Sequence, residues 1–82
     1  MFPKEIVKQA WERAHGKCEC ERTSHVHKGR CNKNLVWENR GKDGERGAWE
    51  AHHRTAVASG GSDTLSNCEI LCLECHKKIR KP

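Results

Sequence analysis

The sequence predicts a small α+β domain whose hydrophobic core needs an additional cross-link to be stable. The chain has 82 residues, of which 34% are hydrophobic and 33% are charged. A domain of this size buries only about 60% of the surface that its unfolded chain exposes, so its core alone contributes little stability. Six cysteines and six histidines provide side chains from which such a cross-link can be built.

The first predicted element is an amphipathic helix over residues 3–15, within an N-terminal helical segment of residues 1–16. Pro3 suits the first helical turn, where its missing N–H would have no partner. Apolar side chains then recur every three or four residues, which gives the helix one apolar stripe. They are Ile6, Val7, Ala10, Trp11 and Ala14. Gly16 fits the left-handed conformation in which many helices end.

Three short strands and a C-terminal helix are predicted after a cysteine-rich loop at residues 17–34. The strands are expected at residues 35–37, 48–52 and 68–72, and the helix at residues 73–80. The polar segment 39–47 contains three glycines and is predicted to join the first two strands as a hairpin connection. Residues 54–66 show no periodicity, and loops of that length are usually functional or disordered.

The cysteines are predicted to bind metal rather than to form disulfides. Residues 1–15 contain Lys4, Glu5, Lys8 and Glu12 and no apolar run, unlike a secretory signal peptide. No segment approaches the roughly 20 apolar residues of a membrane span. We therefore expect a cytoplasmic, intracellular protein without a membrane partner, where reducing conditions favour metal ligation. A disulfide framework is the alternative.

Cys72 and Cys75 form one half of a predicted zinc site. Two cysteines separated by two residues, at the junction of a strand and a helix, can both face one ion, and tetrahedral zinc needs two further ligands. We expect Cys18 and Cys31 to complete the site, with the residues between them forming an enlarged loop. Cys20 is the alternative to Cys18, because two cysteines separated by a single residue seldom share one tetrahedral ion.

The remaining cysteines and histidines of this region allow more than one interpretation. His25 and His27 can join Cys20 in a second metal site, or they can be solvent-exposed loop histidines. Cys68 lies in a predicted strand and is expected to be a small buried apolar side chain.

Zinc binding contributes on the order of 10–16 kcal/mol in finger peptides, so removing zinc is expected to unfold the domain.

The C-terminal half carries a second pattern, made of three histidines and an asparagine. They are His52, His53, Asn67 and His76. Together with the two-cysteine motif, this order resembles the HNH endonuclease family, whose ββα-metal (His-Me finger) core contributes a His pair, an Asn and a final His. The resemblance covers roughly residues 49–80. It implies a single nuclease domain over residues 1–82, with the catalytic ββα-metal core at residues 48–80.

The resemblance implies a role for each residue of this pattern. His52 falls on a metal ligand, where the family has Asp or His, and His76 falls on the second ligand of that ion. His53 falls on the general base, and Asn67 falls on the residue that orients the loop of the base. Adjacent side chains of a strand point to opposite faces, so the neighbouring rings are not expected to bind the same ion. His76 as a fourth zinc ligand beside Cys75 is the alternative.

The resemblance also implies cleavage of DNA with the help of one divalent cation. The implied products are nicks with 5′-phosphate and 3′-hydroxyl ends, and a break of both strands needs two copies of the domain. Because His52 stands where the family usually has Asp, the site is softer, and Mn²⁺, Ni²⁺, Co²⁺ or Zn²⁺ can compete with Mg²⁺. A non-catalytic zinc-dependent nucleic-acid-binding module is the alternative function, and a structural zinc protein for protein contacts is a third.

The charge of the chain suits a polyanionic partner. Sixteen Lys and Arg against eleven Asp and Glu give a net charge of +5. Four basic residues are expected to contact DNA phosphates, although three of them also fit a solvated helix face. They are Arg54, Lys77, Lys78 and Arg80. Little of the chain remains for reading bases, so we expect weak sequence specificity on double-stranded DNA, with a specificity partner or a homodimer adding to it.

Overall fold

The described residues fold into two helices and a two-stranded antiparallel sheet, which confirms the predicted α+β class. A computed structural model describes residues 2–21 and 29–80, and Arg80 through its backbone alone. His25 and His27 therefore lie outside the described residues. In chain order the elements are α1 (Lys4–Ala14), β1 (Trp49–His53), β2 (Cys68–Cys72) and α2 (Leu73–Arg80). None of the described helices is long and apolar enough to cross a membrane.

Helix α1 begins directly after Pro3 and packs its predicted apolar stripe against β2. The buried residues of the helix are Val7, Ala10 and Ala14. Its end differs from the prediction, because the first left-handed residue is His15, with a φ of 57°. Gly16 follows with a φ of 66°. The N–H groups of both residues bond back to the last turn of the helix, a pattern of two hydrogen bonds in which the first residue after the helix is left-handed.

Arg13 fastens the end of α1 to the start of the cysteine-rich loop and to β2. Its guanidinium donates two hydrogen bonds to the carboxylate of Glu19, at 2.8 and 2.6 Å. It also donates to the backbone oxygens of Leu65 and Cys68, at 3.1 and 2.6 Å. Glu19 in turn accepts from the backbone N–H of Ile70 at 2.9 Å. The hydrogen bond to Glu19 raises the pKa of Arg13, as expected for a two-bond charged pair.

The two strands pair along their full length and fix where the paired histidines point. Trp49 lies opposite Cys72, His52 opposite Glu69, and His53 opposite Cys68. Since side chains alternate along a strand, His52 and His53 project from opposite faces of the sheet. Helix α2 follows β2 without an intervening residue and contacts both strands.

The predicted strand at residues 35–37 is wrong. Trp37–Asn39 forms a 3₁₀ turn instead, and the polar segment after it is a series of turns rather than a hairpin connection. Val36 donates its N–H to the oxygen of Gly47 at 3.0 Å, and its own oxygen accepts the indole N–H of Trp49 at 2.9 Å. A Cβ on Gly47 would lie 2.7 Å from the nitrogen of Val36, so glycine permits this close crossing.

The buried core lies between α1, the sheet and the cysteines. Trp49, Ile70 and Leu71 are its largest fully buried side chains. Cys68 is also fully buried, and burial raises the pKa of its thiol to about 11, in line with its expected apolar role. The indole of Trp49 packs against the ring of Trp11 with centroids 4.7 Å apart. The strand that carries the paired histidines is therefore anchored at its first residue.

Candidate functional site

Four cysteines from distant parts of the chain meet at one point. The Sγ atoms of Cys18, Cys31, Cys72 and Cys75 all lie within 4.8 Å of one another, and we call this group the cysteine cluster. Around tetrahedral zinc, with Zn–S bonds of about 2.3 Å, sulfur atoms lie roughly 3.8 Å apart. The spacing therefore fits a closed zinc site after a small contraction. Zinc binding by these four residues stays a prediction, which the geometry supports.

Backbone hydrogen bonds hold the two ends of the cysteine-rich loop together at the cluster. The N–H of Cys18 donates to the oxygen of Lys33 at 3.0 Å, and the N–H of Asn32 donates to the oxygen of Cys18 at 3.2 Å. The N–H of Cys31 donates to the oxygen of Cys20 at 2.8 Å. Cys20, the alternative ligand, is buried beside the cluster but is not one of its four members.

The thiols of the cluster affect one another's protonation. The pKa of Cys72 is lowered to about 5, mainly by a hydrogen bond from the side chain of Cys18. The same hydrogen bond, together with burial, raises the pKa of Cys18. Burial and then the hydrogen bond to Cys72 raise the pKa of Cys75. The cluster thus favours a thiolate at Cys72, whereas Cys18 and Cys75 must lose their protons before they can bind a metal.

His52 in β1 and His76 in the first turn of α2 face each other. Their ring centroids are 5.5 Å apart and their planes meet at 78°. An imidazole centroid lies about 3 Å from a metal bound at its nitrogen, so two rings at this separation fit one shared ion. Both rings line an open cleft of about 320 Å³, which we call the histidine cleft. Its lining residues are Ala51, His52, His53, Ala56, Val57 and His76.

His53 borders the same cleft but has different partners. Its Nε2 lies 2.6 Å from Oδ1 of Asp63. Its ring stacks on Phe2, with centroids 3.8 Å apart and planes 16° from parallel. The hydrogen bond from His53 lowers the pKa of the Asp63 carboxyl below its ordinary value. The two neighbouring histidines therefore border one cleft but contact different residues.

Asn67 fastens the loop that follows His53. Its Oδ1 accepts the N–H of Thr55 at 2.7 Å, and its Nδ2 donates to the oxygens of Thr55 and Ser62, at 3.1 and 2.8 Å. A Cβ on Gly61 would lie 1.8 Å from the oxygen of Thr55, so only glycine allows the loop to close this tightly. The buried Asn67 side chain thus holds both ends of the loop, including the residue next to Asp63.

The four basic residues that were expected to contact DNA differ in their surroundings. Arg54 lies 3.7 Å from the buried carboxylate of Glu69, the cross-strand neighbour of His52. Lys77 donates to Asp43 at 2.6 Å. Lys78 is exposed, and the side chain of Arg80 is not described. Contact with DNA stays a prediction for all four.

Phe2 and Asp63 contact His53 but were not among the predicted site residues. No spacing or periodicity connects residue 2 with residue 53, because their contact depends on how α1 packs on the sheet. Only a weak signal in the sequence points to Asp63 as a site residue. It is a carboxylate in the loop at residues 54–66, and it lies four residues before Asn67.

The structure joins an antiparallel pair of strands to a following helix, and histidines from the strand pair and from the helix border one cleft. The family model for HNH endonucleases matches residues 18–81, so the chain belongs to the HNH endonuclease family, as the sequence predicted. Over 30 residues it is 47% identical to the type IV methyl-directed restriction enzyme EcoKMcrA of Escherichia coli (strain K12). That stretch is 37% of this chain and spans only 11% of the relative's length.

Proposed function

We propose that the chain is a metal-dependent endonuclease that hydrolyses phosphodiester bonds of double-stranded DNA with weak sequence specificity. One observation carries the proposal: His52 and His76 face each other across 5.5 Å, while His53 borders the same cleft and is held by other residues. Metal-assisted hydrolysis needs this separation of metal ligands from a proton acceptor. Membership of the HNH endonuclease family supports the same activity.

His52 and His76 are the residues that would hold the divalent ion of the histidine cleft. When bound, the ion supplies charge stabilisation for the phosphoryl oxygens and for the leaving 3′ oxygen. Two protein ligands leave the remaining positions open to water and phosphate. Imidazole nitrogens are softer than carboxylate oxygens, so Mn²⁺, Ni²⁺, Co²⁺ or Zn²⁺ competes well with Mg²⁺ at such a site.

His53 acts as the general base on the attacking water. The water oxygen forms a bond to phosphorus while the bond from phosphorus to the 3′ oxygen breaks. The proton of the water passes to the imidazole, and the leaving 3′ oxygen takes up a proton from solvent. The products then carry 5′-phosphate and 3′-hydroxyl ends. A neutral imidazole is well suited to this transfer near neutral pH. Asn67 contributes by fixing the loop after His53, through its bonds to Thr55 and Ser62.

The cysteine cluster is proposed to hold a structural zinc. Its four sulfur donors leave no coordination position for water or substrate, which is typical of structural rather than catalytic zinc. With this zinc, residues 1–82 are proposed to act as one nuclease domain, with the catalytic core at residues 48–80. Arg54, Lys77, Lys78 and Arg80 are proposed to contact DNA phosphates, and a specificity partner or a second copy would add sequence preference or cleavage of both strands.

The proposal is tested by nicking of a supercoiled plasmid with Mg²⁺ or Mn²⁺, comparing His53→Asn with the matched variant His15→Asn. His15 is exposed and has a left-handed backbone that asparagine tolerates, so its replacement is expected to leave cutting unchanged. His53→Asn is expected to lower the cutting rate by about 10²–10⁴-fold, the usual contribution of a general base, while DNA affinity stays the same.

Other outcomes decide against parts of the proposal. Equal cutting by His53→Asn and wild type would show that His53 is not the base. If the chain binds DNA in a salt-sensitive way but cuts it with none of the divalent ions tried, the non-catalytic nucleic-acid-binding module is favoured. Absence of DNA binding would favour a structural zinc protein that contacts other proteins.

A further inference from the structure

We propose that Asp63 is a positioning residue for His53, whose carboxylate holds the proton on Nε2 and leaves Nδ1 to accept the proton of the attacking water. The assignment rests on the proposed nuclease function, in which His53 is the base.

The contact at the ring edge fixes the tautomer. Nε2 of His53 and Oδ1 of Asp63 are 2.6 Å apart, which is short even for a charge-assisted hydrogen bond. The Asp63 side chain is partly exposed, and the bond lowers its pKa, so the carboxyl is ionised and can only accept. The proton of this bond must therefore come from Nε2. A neutral imidazole with its proton on Nε2 has its lone pair on Nδ1.

The plane of the ring is fixed by Phe2. The two rings are stacked at 3.8 Å and 16°, Phe2 is 6% exposed, and the His53 side chain is 20% exposed. Rotation of the imidazole about its Cβ–Cγ bond would break the stacking and the bond to Asp63 together. The orientation of Nδ1 is thus set by two contacts of different kinds, one an apolar stacking contact and the other a hydrogen bond to a carboxylate.

Asp63 is itself held by its neighbours in the loop. The oxygen of Ser62 accepts a hydrogen bond from Nδ2 of Asn67 at 2.8 Å. The hydroxyl groups of Ser62 and Thr64, on either side of Asp63, are 2.9 Å apart. Asn67 therefore acts on His53 through Asp63, because it fixes the backbone from which the carboxylate reaches the ring.

The tautomer is measured by long-range ¹H–¹⁵N NMR of the full chain, purified with zinc and labelled with ¹⁵N. The His53 signals are assigned by their disappearance in His53→Asn. In the wild type we expect the shift of a protonated nitrogen at Nε2 and that of an unprotonated nitrogen at Nδ1. In Asp63→Ala we expect the two shifts to move towards each other, as in a tautomer mixture. A proton on Nδ1 in the wild type, or unchanged shifts in Asp63→Ala, would overturn the proposal.

Kinetics distinguish positioning from a general surface-charge effect. Asp63→Ala is expected to lower kcat of nicking by roughly 10–10³-fold, with KM and DNA affinity changed less than about twofold. Asp63→Glu is expected to restore part of kcat. The matched variant Glu38→Gln, which removes an exposed carboxylate from the 3₁₀ turn, is expected to change none of these.

A changed affinity with unchanged kcat in Asp63→Ala would contradict the positioning role. The NMR result does not depend on cutting, so the two ideas fail separately. If the wild type does not cut DNA, the proposed function is wrong. The NMR measurement of the His53 tautomer still shows whether Asp63 positions the ring.

Discussion

The cysteine cluster and the histidine cleft are adjacent in sequence and opposite in character. Cys75 and His76 are neighbours in the first turn of α2, yet Cys75 joins three other sulfur atoms and His76 faces His52. Consecutive helical side chains point about 100° apart, so one helical turn can serve both groups. Three of the four cysteines are buried, whereas the histidine rings are half-buried and border an open cleft.

This difference indicates that a chain of 82 residues has room for one site that suits a structural metal and another that suits a reactive one. A buried set of four sulfur donors suits a metal that holds the fold, and an open pair of nitrogen donors suits one that binds substrate. The four residues of the cysteine cluster include Cys18 and do not include His76. This arrangement does not favour the alternative in which His76 is the fourth zinc ligand. Three experiments test whether the cysteine cluster and the histidine cleft are separate sites.

The largest effect is expected from removing one member of the cysteine cluster. Cys75→Ala should abolish cooperative folding and zinc binding, because structural zinc contributes on the order of 10–16 kcal/mol in finger peptides. The matched variant Cys68→Ala removes an equally buried cysteine outside the cluster and should cost only about 1–2 kcal/mol. Near-ultraviolet circular dichroism and the bound zinc per chain measure both. Retention of zinc by Cys75→Ala would refute the cluster, and loss of zinc in Cys20→Ala would assign Cys20 as a ligand.

A smaller effect, confined to activity, is expected one residue further on. His76→Ala should keep one zinc and the wild-type circular dichroism spectrum, while the rate of plasmid nicking falls by about 10²–10⁴-fold through loss of a metal ligand. Unfolding of His76→Ala on the scale of Cys75→Ala would show that the two sites are not separate. Unchanged nicking would remove His76 from the catalytic site.

The third effect is a pH dependence of zinc binding at the cysteine cluster. Because the pKa values of Cys18 and Cys75 are raised, zinc must displace a proton from each. Zinc affinity should therefore fall as pH falls. Each of these two protons contributes about a tenfold loss of affinity per pH unit, so the two together contribute about 100-fold per unit. Cys72, with a pKa of about 5, adds nothing above pH 6. Competition with a chelator at pH 8, 7 and 6 measures the slope, and a flat profile would contradict the assignment.

Elements whose signals are local were predictable from the sequence. Strand β2 and helix α2 have the predicted bounds, and β1 is shifted by one residue, because alternation and helical periodicity act within a few residues. The segment at residues 35–37 also looked like a strand. It is not one, because its hydrogen bonds go to Gly47 and to the indole of Trp49, which are distant partners that no local pattern specifies.

The order of histidines, cysteines and asparagine along the chain was enough to predict the family and to name the candidate metal ligands and the candidate base. Tertiary structure alone decided that Cys18 rather than Cys20 joins the cluster, and that Phe2 and Asp63 hold His53. These contacts join segments that are far apart along the chain. They exist because α1 packs on the sheet and Asn67 closes the loop, and packing of that kind leaves no periodic trace in the sequence.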